Sequence, residues 1–101
     1  MGMLRFSRRA EADLIEIGAY TLQRWGEAQA IHYLAELESC CRRMVENPLL
    51  GRSCDEIRAG LRRMEQGRHV IFYRLRGKGI LVSRILHRSM MPGRHEMPEE
   101  K

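Results

Sequence analysis

Apolar side chains recur along the chain with two different periods, which divide it into a helical half and a β half. After a short apolar segment at residues 3–6, the apolar positions within 10–25 and within 30–45 follow the three- and four-residue steps of amphipathic helices. Ser7 provides an N-cap for the first helix, and Gly26 provides the stop that separates the two. Because so short a connection folds two helices back on each other, the pattern predicts an antiparallel helical hairpin.

Beyond the hairpin, a loop over 47–60 is followed by segments in which apolar and polar residues alternate. The alternation predicts three strands separated by glycine-containing turns, at residues 61–66, 69–76 and 80–87. The chain is therefore predicted as a single α+β domain over 1–101, a β-α-α-β-β-β arrangement with the helix hairpin packed on a small antiparallel sheet. Residues 88–101 are predicted to form a basic, loosely ordered tail.

The register of the last two strands decides which side chains they expose. A three-residue turn over 77–79 sets Arg76 opposite Ile80 and His69 opposite His87, whereas a one-residue slip would place Arg84 in the core. In this register the face toward the helices consists of Ile71, Tyr73, Leu75, Leu81, Ser83 and Ile85. The opposite face, called the sheet strip below, consists of Val70, Phe72, Ile80, Val82 and Leu86 with Arg74, Arg76 and Arg84. We expect the sheet strip to be exposed and to bind a protein partner.

The charge balance indicates that such a partner is anionic. The 101 residues carry a net charge of +5, and all but Lys78 and Lys101 of the 18 basic side chains are arginines. Arginine forks suit phosphates and carboxylates, so we expect nucleic acid or an acidic protein segment. No apolar run approaches the roughly 20 residues of a membrane span, and the three cysteines lack the spacing of a zinc site. We therefore expect a cytoplasmic protein that uses no metal or cofactor.

Two histidines are the strongest candidates for chemistry. His69 and His87 face each other in the predicted hairpin, and Arg62, Arg63 and Arg84 lie near enough in sequence to hold a phosphate. Such a group is similar to what a metal-free ribonuclease uses. The alternative, which we favour, is that both histidines cap the edge of the sheet by hydrogen bonding.

Three aromatic residues accompany the predicted helices. Tyr20, Trp25 and Tyr33 follow helical spacing, so we expect them to seal the interior and base of the hairpin rather than to form a ligand site. Cys41 follows the same spacing and is expected to fill the core as a small hydrophobic side chain.

The order of motifs from about residue 4 to residue 91 resembles the ParE toxins of bacterial type II toxin–antitoxin systems. The motifs are Ser7-x-x-Ala10-x-x-Asp13-Leu14-x-x-Ile17, Tyr20, Trp25-Gly26, Ala30-x-x-Tyr33-x-x-x-Leu37, Asn47-Pro48-x-x-Gly51-Arg52, Arg58-x-Gly60-x-Arg62, His69-x-x-x-Tyr73-Arg74 and Arg84-x-Leu86-His87-x-x-Met90. The resemblance implies the RelE/ParE fold and a non-enzymatic toxin, without a catalytic residue, that inhibits DNA gyrase and so DNA replication. It also implies a ParD-like antitoxin that binds the toxin in a hetero-oligomer.

Two sets of contact residues follow from this interpretation. We expect gyrase or its bound DNA to contact the basic C-terminal half, through Arg62, Arg63, Arg84, His87, Arg88, Met90 and Met91. We expect an acidic antitoxin segment to cover the sheet strip, and a helical stretch of it to lie in the groove beside the helix hairpin.

Two other functions remain open at this point. One is a RelE-like, ribosome-dependent mRNA endoribonuclease that uses His87 with Arg62 or Arg63. The other is a basic nucleic-acid-binding module whose arginines contact phosphates. RelE-like ribonucleases use several lysines and a C-terminal tyrosine, whereas this chain has one internal lysine, Lys78, and no tyrosine after Tyr73. These differences argue against RNA cleavage.

Overall fold

The computed structural model describes residues 2–90, which form two helices and a five-stranded sheet. The elements in chain order are β1 (Leu4–Phe6), α1 (Arg8–Trp25), α2 (Glu27–Glu46), β2 (Arg52–Ser53), β3 (Arg62–Gln66), β4 (His69–Arg76), β5 (Gly79–His87) and a 3-10 turn (Arg88–Met90). The predicted helix boundaries are confirmed. The side chain of Ser7 accepts a hydrogen bond from the Ala10 amide at the start of α1, and Gly26 separates the helices with a φ of 94°, which favours glycine.

The sheet has the strand order β1-β5-β4-β3-β2, and the helix hairpin packs on one of its faces. β1 pairs in parallel with β5, while the other pairs are antiparallel. The predicted α+β architecture is confirmed, and its sheet is mixed because the first strand lies beside the last one. β2 is a two-residue edge strand within the stretch that the sequence indicated as a loop.

The β4–β5 hairpin departs from the predicted register in the half next to its turn. Arg76 pairs with Gly79, so the turn has two residues instead of three, and a β-bulge shifts the pairing between Phe72 and Tyr73. Beyond the bulge the predicted register holds, and His69 is opposite His87. The extra residue is Ser83 on β5, and it reverses the faces of every β5 residue between the bulge and the turn.

The bulge changes which side chains reach the core beneath the helices. Ile80 and Val82 join Ile71, Tyr73 and Ile85 in that core. Leu81 is instead buried on the opposite face, and Leu75 is 47% exposed. The predicted faces of Ile80, Leu81 and Val82 were therefore wrong, because an unrecognised bulge offset the pattern of β5 by one position.

The prediction that the apolar side chains of the sheet strip are exposed is also wrong. Its remaining apolar members, Val70, Phe72 and Leu86, form a second buried cluster on the face away from the helices. The α2–β3 connection covers them with Cys54, Leu61 and the partly buried Ile57. The sequence predicts only a loop over 47–60, whereas in the structure this connection packs on the sheet and buries its apolar face.

The α2–β3 connection is fixed to the sheet by the hydroxyl of Tyr73. This hydroxyl accepts a hydrogen bond from the Gly51 amide at 2.8 Å and donates to the Pro48 carbonyl at 2.8 Å. A Cβ at position 51 would lie 2.6 Å from the same hydroxyl oxygen, so glycine is required there by the close approach. Across residues 2–90, neither helix has the length and apolar character needed to cross a bilayer.

Candidate functional site

A buried carboxylate on α1 joins the helix hairpin to the open edge of β5. β1 ends at Phe6, so the β5 amide of Ile85 has no strand partner on that side, and Asp13 accepts its hydrogen at 2.9 Å. The same carboxylate receives two hydrogen bonds from Arg84, at 2.8 and 3.0 Å. These bonds raise the pKa of the Arg84 guanidinium. Arg84 is therefore a structural residue of the helix–sheet interface, which corrects its predicted place on an exposed arginine face.

One surface feature is a cleft of about 860 Å³ between the helix hairpin and the end of the sheet. Its walls carry five aromatic rings, those of Tyr20, Trp25, Tyr33, His69 and His87. Tyr20 and Trp25 are 55% and 58% exposed, so they do not seal the interior of the hairpin as predicted. We call this feature the aromatic cleft.

The predicted histidine pair lies in the aromatic cleft, with its ring centroids 5.4 Å apart and nearly perpendicular. His69 Nδ1 is 2.6 Å from the hydroxyl of Tyr33, which also accepts the Arg68 amide at 3.0 Å. Burial and the neighbouring His87 lower the pKa of His69 from 6.5 to about 4, although Asp13 acts in the opposite direction. His69 is therefore a neutral imidazole at pH 7.

This lowered pKa predicts an acid-dependent loss of stability. Between pH 6.5 and about 4 the unfolded chain binds a proton at His69 that the folded chain does not, so the unfolding free energy falls as the pH falls through this range. Above pH 6.5 the contribution of His69 is constant. We expect the difference in unfolding free energy between the wild type and His69→Gln, measured in urea, to shrink as the pH is lowered from 7 to 4. The unfolding free energy of the exposed His32→Gln variant should change with pH as that of the wild type does. If the unfolding free energy of all three proteins changed equally with pH, the lowered pKa of His69 would be contradicted.

A second surface feature is an apolar groove lined by residues of α1, α2 and β1. It encloses about 820 Å³ and is lined mainly by aliphatic side chains, including those of Leu14, Ile15 and Leu34. Ile15 is 73% exposed at its rim. Gly18 lies at the base, where a Cβ would be 3.2 Å from Leu34. We call this feature the helix groove.

The arginines of the ribonuclease alternative do not meet the histidine pair. Arg62 is opposite Tyr73, four positions along β3 from the Gln66–His69 pair, which is about 13 Å at 3.3 Å per residue. Its guanidinium donates to the Gly51 carbonyl at 2.9 Å. Arg63 is opposite Phe72 and shares the face turned away from the helices and the histidines. Neither side chain is positioned to hold a phosphate beside His87.

The other predicted target-binding residues surround the end of β5. His87 lines the aromatic cleft, and Arg88 and Met90 are exposed on the turn that follows. The Arg88 amide donates to the Arg68 carbonyl, which holds this turn against the β3–β4 connection. Met91 and the rest of the predicted tail lie outside the described residues.

Sequence comparison decides the family. A family model described as "ParE toxin of type II toxin-antitoxin system, parDE" matches residues 4–92. The chain belongs to the ParE toxin family. Among curated relatives, Toxin ParE1 of Caulobacter vibrioides is 44% identical over 91 residues, covering 90% of this chain and 94% of the relative. Toxin ParE1 of Mycobacterium tuberculosis is 47% identical over 85 residues, covering 83% and 87%.

Structural comparison gives the same family. The chain is similar to a solved structure titled "Chromosomal ParDE TA system from P. aeruginosa", with a TM-score of 0.72 and 25% sequence identity. The match covers 86% of this ParE chain and 96% of the solved chain. The predicted resemblance to ParE toxins is confirmed, and this chain is the toxin of a type II toxin–antitoxin system.

The sequence interpretation missed Asp13 and the aromatic cleft as features of the site. Asp13 stands among the apolar positions of α1, and a carboxylate on the buried stripe of a helix is a signal that it has a partner. That signal was present, but the spacing of α1 gave no indication that the partner was Arg84.

Proposed function

We propose that this ParE toxin inhibits DNA gyrase by binding to it, without catalysing a reaction of its own, and that a ParD-type antitoxin neutralises it by covering the helix groove. Membership in the ParE family supports gyrase as the target. The observation that supports a non-enzymatic mechanism is the separation of Arg62 and Arg63 from the histidine pair. A phosphoryl-transfer site needs its cationic groups within hydrogen-bonding reach of the reacting phosphate.

The test of this proposal adds purified toxin to gyrase and supercoiled plasmid. We expect linear DNA to accumulate after detergent and protease treatment, because a poisoned gyrase holds its DNA in the cleaved state. Toxin mixed beforehand with its ParD-type antitoxin should produce none. Absence of trapped breaks, together with mRNA cleavage in a translating extract, would favour the ribonuclease instead.

The proposed gyrase contact is the exposed surface at the end of β5. Of the predicted contact residues, Arg88 and Met90 are exposed there, while Arg84 is bonded to Asp13. Arg88→Glu should therefore reduce DNA trapping by about tenfold, since it replaces an attractive charge by a repulsive one at a surface that meets gyrase or its DNA. Arg9→Glu, at an exposed position of α1, is the matched control and should have little effect.

The antitoxin is proposed to place the apolar face of a helix in the helix groove. Because the apolar members of the sheet strip are buried, the groove is an apolar surface that residues 2–90 leave open beside the hairpin. Short amphipathic segments recognise such grooves through a few spaced aliphatic anchors. The sequence analysis placed the antitoxin mainly on the sheet strip and only a helical stretch of it in the groove; we now propose the groove as the main binding surface.

Ile15→Asp tests this assignment. A carboxylate at the rim would lose its water when the antitoxin helix binds, so we expect at least tenfold weaker antitoxin binding by calorimetry. Ile31→Asp is the control, since Ile31 is 63% exposed on α2 and does not line the groove. Both variants should retain the wild-type unfolding free energy within about 0.5 kcal/mol. Equal affinity of the two variants for the antitoxin would place the binding surface elsewhere.

A further inference from the structure

Hydrogen bonding fixes which nitrogen of each cleft histidine carries the proton. The Ser89 amide donates to His87 Nδ1 at 3.2 Å, and an amide can only donate. Nδ1 of His87 is therefore an acceptor, and the proton of the neutral ring is on Nε2.

The same assignment applies to His69 through Tyr33. The Tyr33 hydroxyl has one hydrogen and two possible acceptors, His69 Nδ1 at 2.6 Å and the Gln66 carbonyl at 3.4 Å. The shorter bond takes the hydrogen, because the carbonyl distance is at the limit of a hydrogen bond. Burial raises the pKa of the Tyr33 hydroxyl, so this hydrogen is retained at neutral pH. His69 Nδ1 is then an acceptor, and Nε2 carries its proton.

The aromatic cleft thus contains two neighbouring imidazole donors that residues 2–90 leave without a described acceptor. No hydrogen bond of either Nε2 is found within the part of the chain that the structure describes. Arg68, also on the cleft wall, adds a permanent positive charge. Two carboxylates, Asp13 and Glu16, line the α1 wall; Arg84 forms two hydrogen bonds with Asp13 and also attracts Glu16. The end of the cleft at the histidines is therefore suited to an anion.

The other end of the cleft offers aromatic surface from Tyr20, whose ring has the Arg24 guanidinium 5.7 Å from its centroid, and from Trp25. Tyr20 and Trp25 project from the last turns of α1 with more than half of their surface in water. Exposed aromatic rings beside a donor-rich pocket are the arrangement on which nucleic acid bases stack. The volume of about 860 Å³ lies within the range of small-molecule sites and accommodates a mononucleotide.

We propose that the aromatic cleft binds a nucleoside phosphate, with the phosphate at His69, His87 and Arg68 and the base against Trp25 and Tyr20. The phosphate oxygens accept the two Nε2 hydrogens, and the guanidinium balances the charge. The ligand is a free nucleotide or the phosphorylated end of a single strand, since both present the same chemistry. The site adjoins the proposed gyrase contact, because Met90 lines the cleft as well, whereas the helix groove uses other residues.

The first experiment observes the histidines directly. Long-range nitrogen–proton NMR spectra of the full chain at pH 7.5 should show both His69 and His87 protonated on Nε2. Addition of adenosine and guanosine monophosphates in turn should shift these Nε2 signals and the indole signal of Trp25. Inorganic phosphate alone should shift only the histidine signals. Protonation of either ring on Nδ1, or nucleotide titrations that leave the cleft signals unmoved at millimolar concentration, would overturn the proposal.

Variants then separate the two halves of the cleft. We expect Trp25→Ala to weaken nucleotide binding at least about tenfold, through loss of stacking, while leaving the weak response to inorganic phosphate. His87→Phe keeps an aromatic ring but removes the donor, and should abolish the response to phosphate. His32→Phe, on the exposed face of α2, should bind as the wild type does. Unchanged nucleotide affinity in both cleft variants would contradict the site.

A comparison of ligands distinguishes the two sources. A five-nucleotide single strand with a 5′-phosphate should bind more tightly than the mononucleotide if strand ends are the ligand, and the same strand without the phosphate should bind at least tenfold more weakly. If free nucleotides are the ligand, the mononucleotide should bind more tightly than either strand. Equal binding of the phosphorylated and unphosphorylated strands would show that the histidine end does not hold a phosphate.

Discussion

Phe72→Ala should lower the unfolding free energy of the toxin by about 3–5 kcal/mol, the range for truncating a buried phenylalanine. Phe72 has no exposed surface and is the largest side chain of the cluster that the α2–β3 connection covers. A loss of this size removes a large share of the 5–15 kcal/mol that stabilises a typical domain. Denaturation in guanidinium chloride, followed by circular dichroism, measures it.

Lys78→Ala is the matched control for this variant. Lys78 is exposed in the turn between β4 and β5, and its replacement should change the unfolding free energy by less than about 0.5 kcal/mol. A Phe72→Ala protein that unfolds like the wild type but has lost antitoxin affinity would show that the sheet strip is accessible, and would return the antitoxin to that face.

Asp13→Ala should destabilise the toxin by about 2–4 kcal/mol, because it leaves a largely buried guanidinium and a strand amide without their partner. The side chains of Arg84 and Asp13 are only 15% and 11% exposed. The Asp13 carboxylate forms both the ion pair with Arg84 and the hydrogen bond from the Ile85 amide. We expect this loss of unfolding free energy to be measurable by urea denaturation at pH 7.

Two further variants distinguish the contributions of Asp13. Asp13→Asn keeps an oxygen for the Ile85 amide and should lose less stability than Asp13→Ala. Glu38→Ala removes the exposed Arg42–Glu38 pair, whose side chains are 68% and 60% exposed, and should cost less than about 0.5 kcal/mol. If Asp13→Ala were no more destabilising than Glu38→Ala, the described ion pair would not form in solution.

The helices were predictable because their signals are local. The capping serine, the glycine between the helices and the repeat of apolar positions each act within one or two turns, and each was confirmed. The pairing of His69 with His87 was also predictable, because the far half of the hairpin keeps a strict alternation of faces. Family membership followed from the order of motifs, which is a property of the sequence itself.

The face assignments were not predictable, because they depend on one extra residue in β5. Ser83 is small, and nothing in the alternation around it indicates a bulge. In the structure the Ser83 carbonyl accepts a hydrogen bond from the hydroxyl of Ser7, a residue 76 positions away. The bulge is therefore associated with a tertiary contact that local sequence does not indicate. Helical periodicity failed in a similar way for Tyr20 and Trp25, because a stripe of apolar residues does not indicate where the covering sheet ends.

The position of β5 in the sheet also determines when this toxin becomes harmful during its synthesis. Of the strands in residues 2–90, β5 is the last to leave the ribosome, yet it lies between β1 and β4 and packs against the side chains of both helices. Until it emerges, β1 has no hydrogen-bonding partner, Asp13 has no cation, and the apolar face of the hairpin is uncovered. Domains whose first and last strands pair complete their folding only after most of the chain is made. A bacterium that translates this gene therefore has the whole synthesis time, roughly 5–20 s at 5–20 residues per second, in which an antitoxin already present can meet the chain before it is folded.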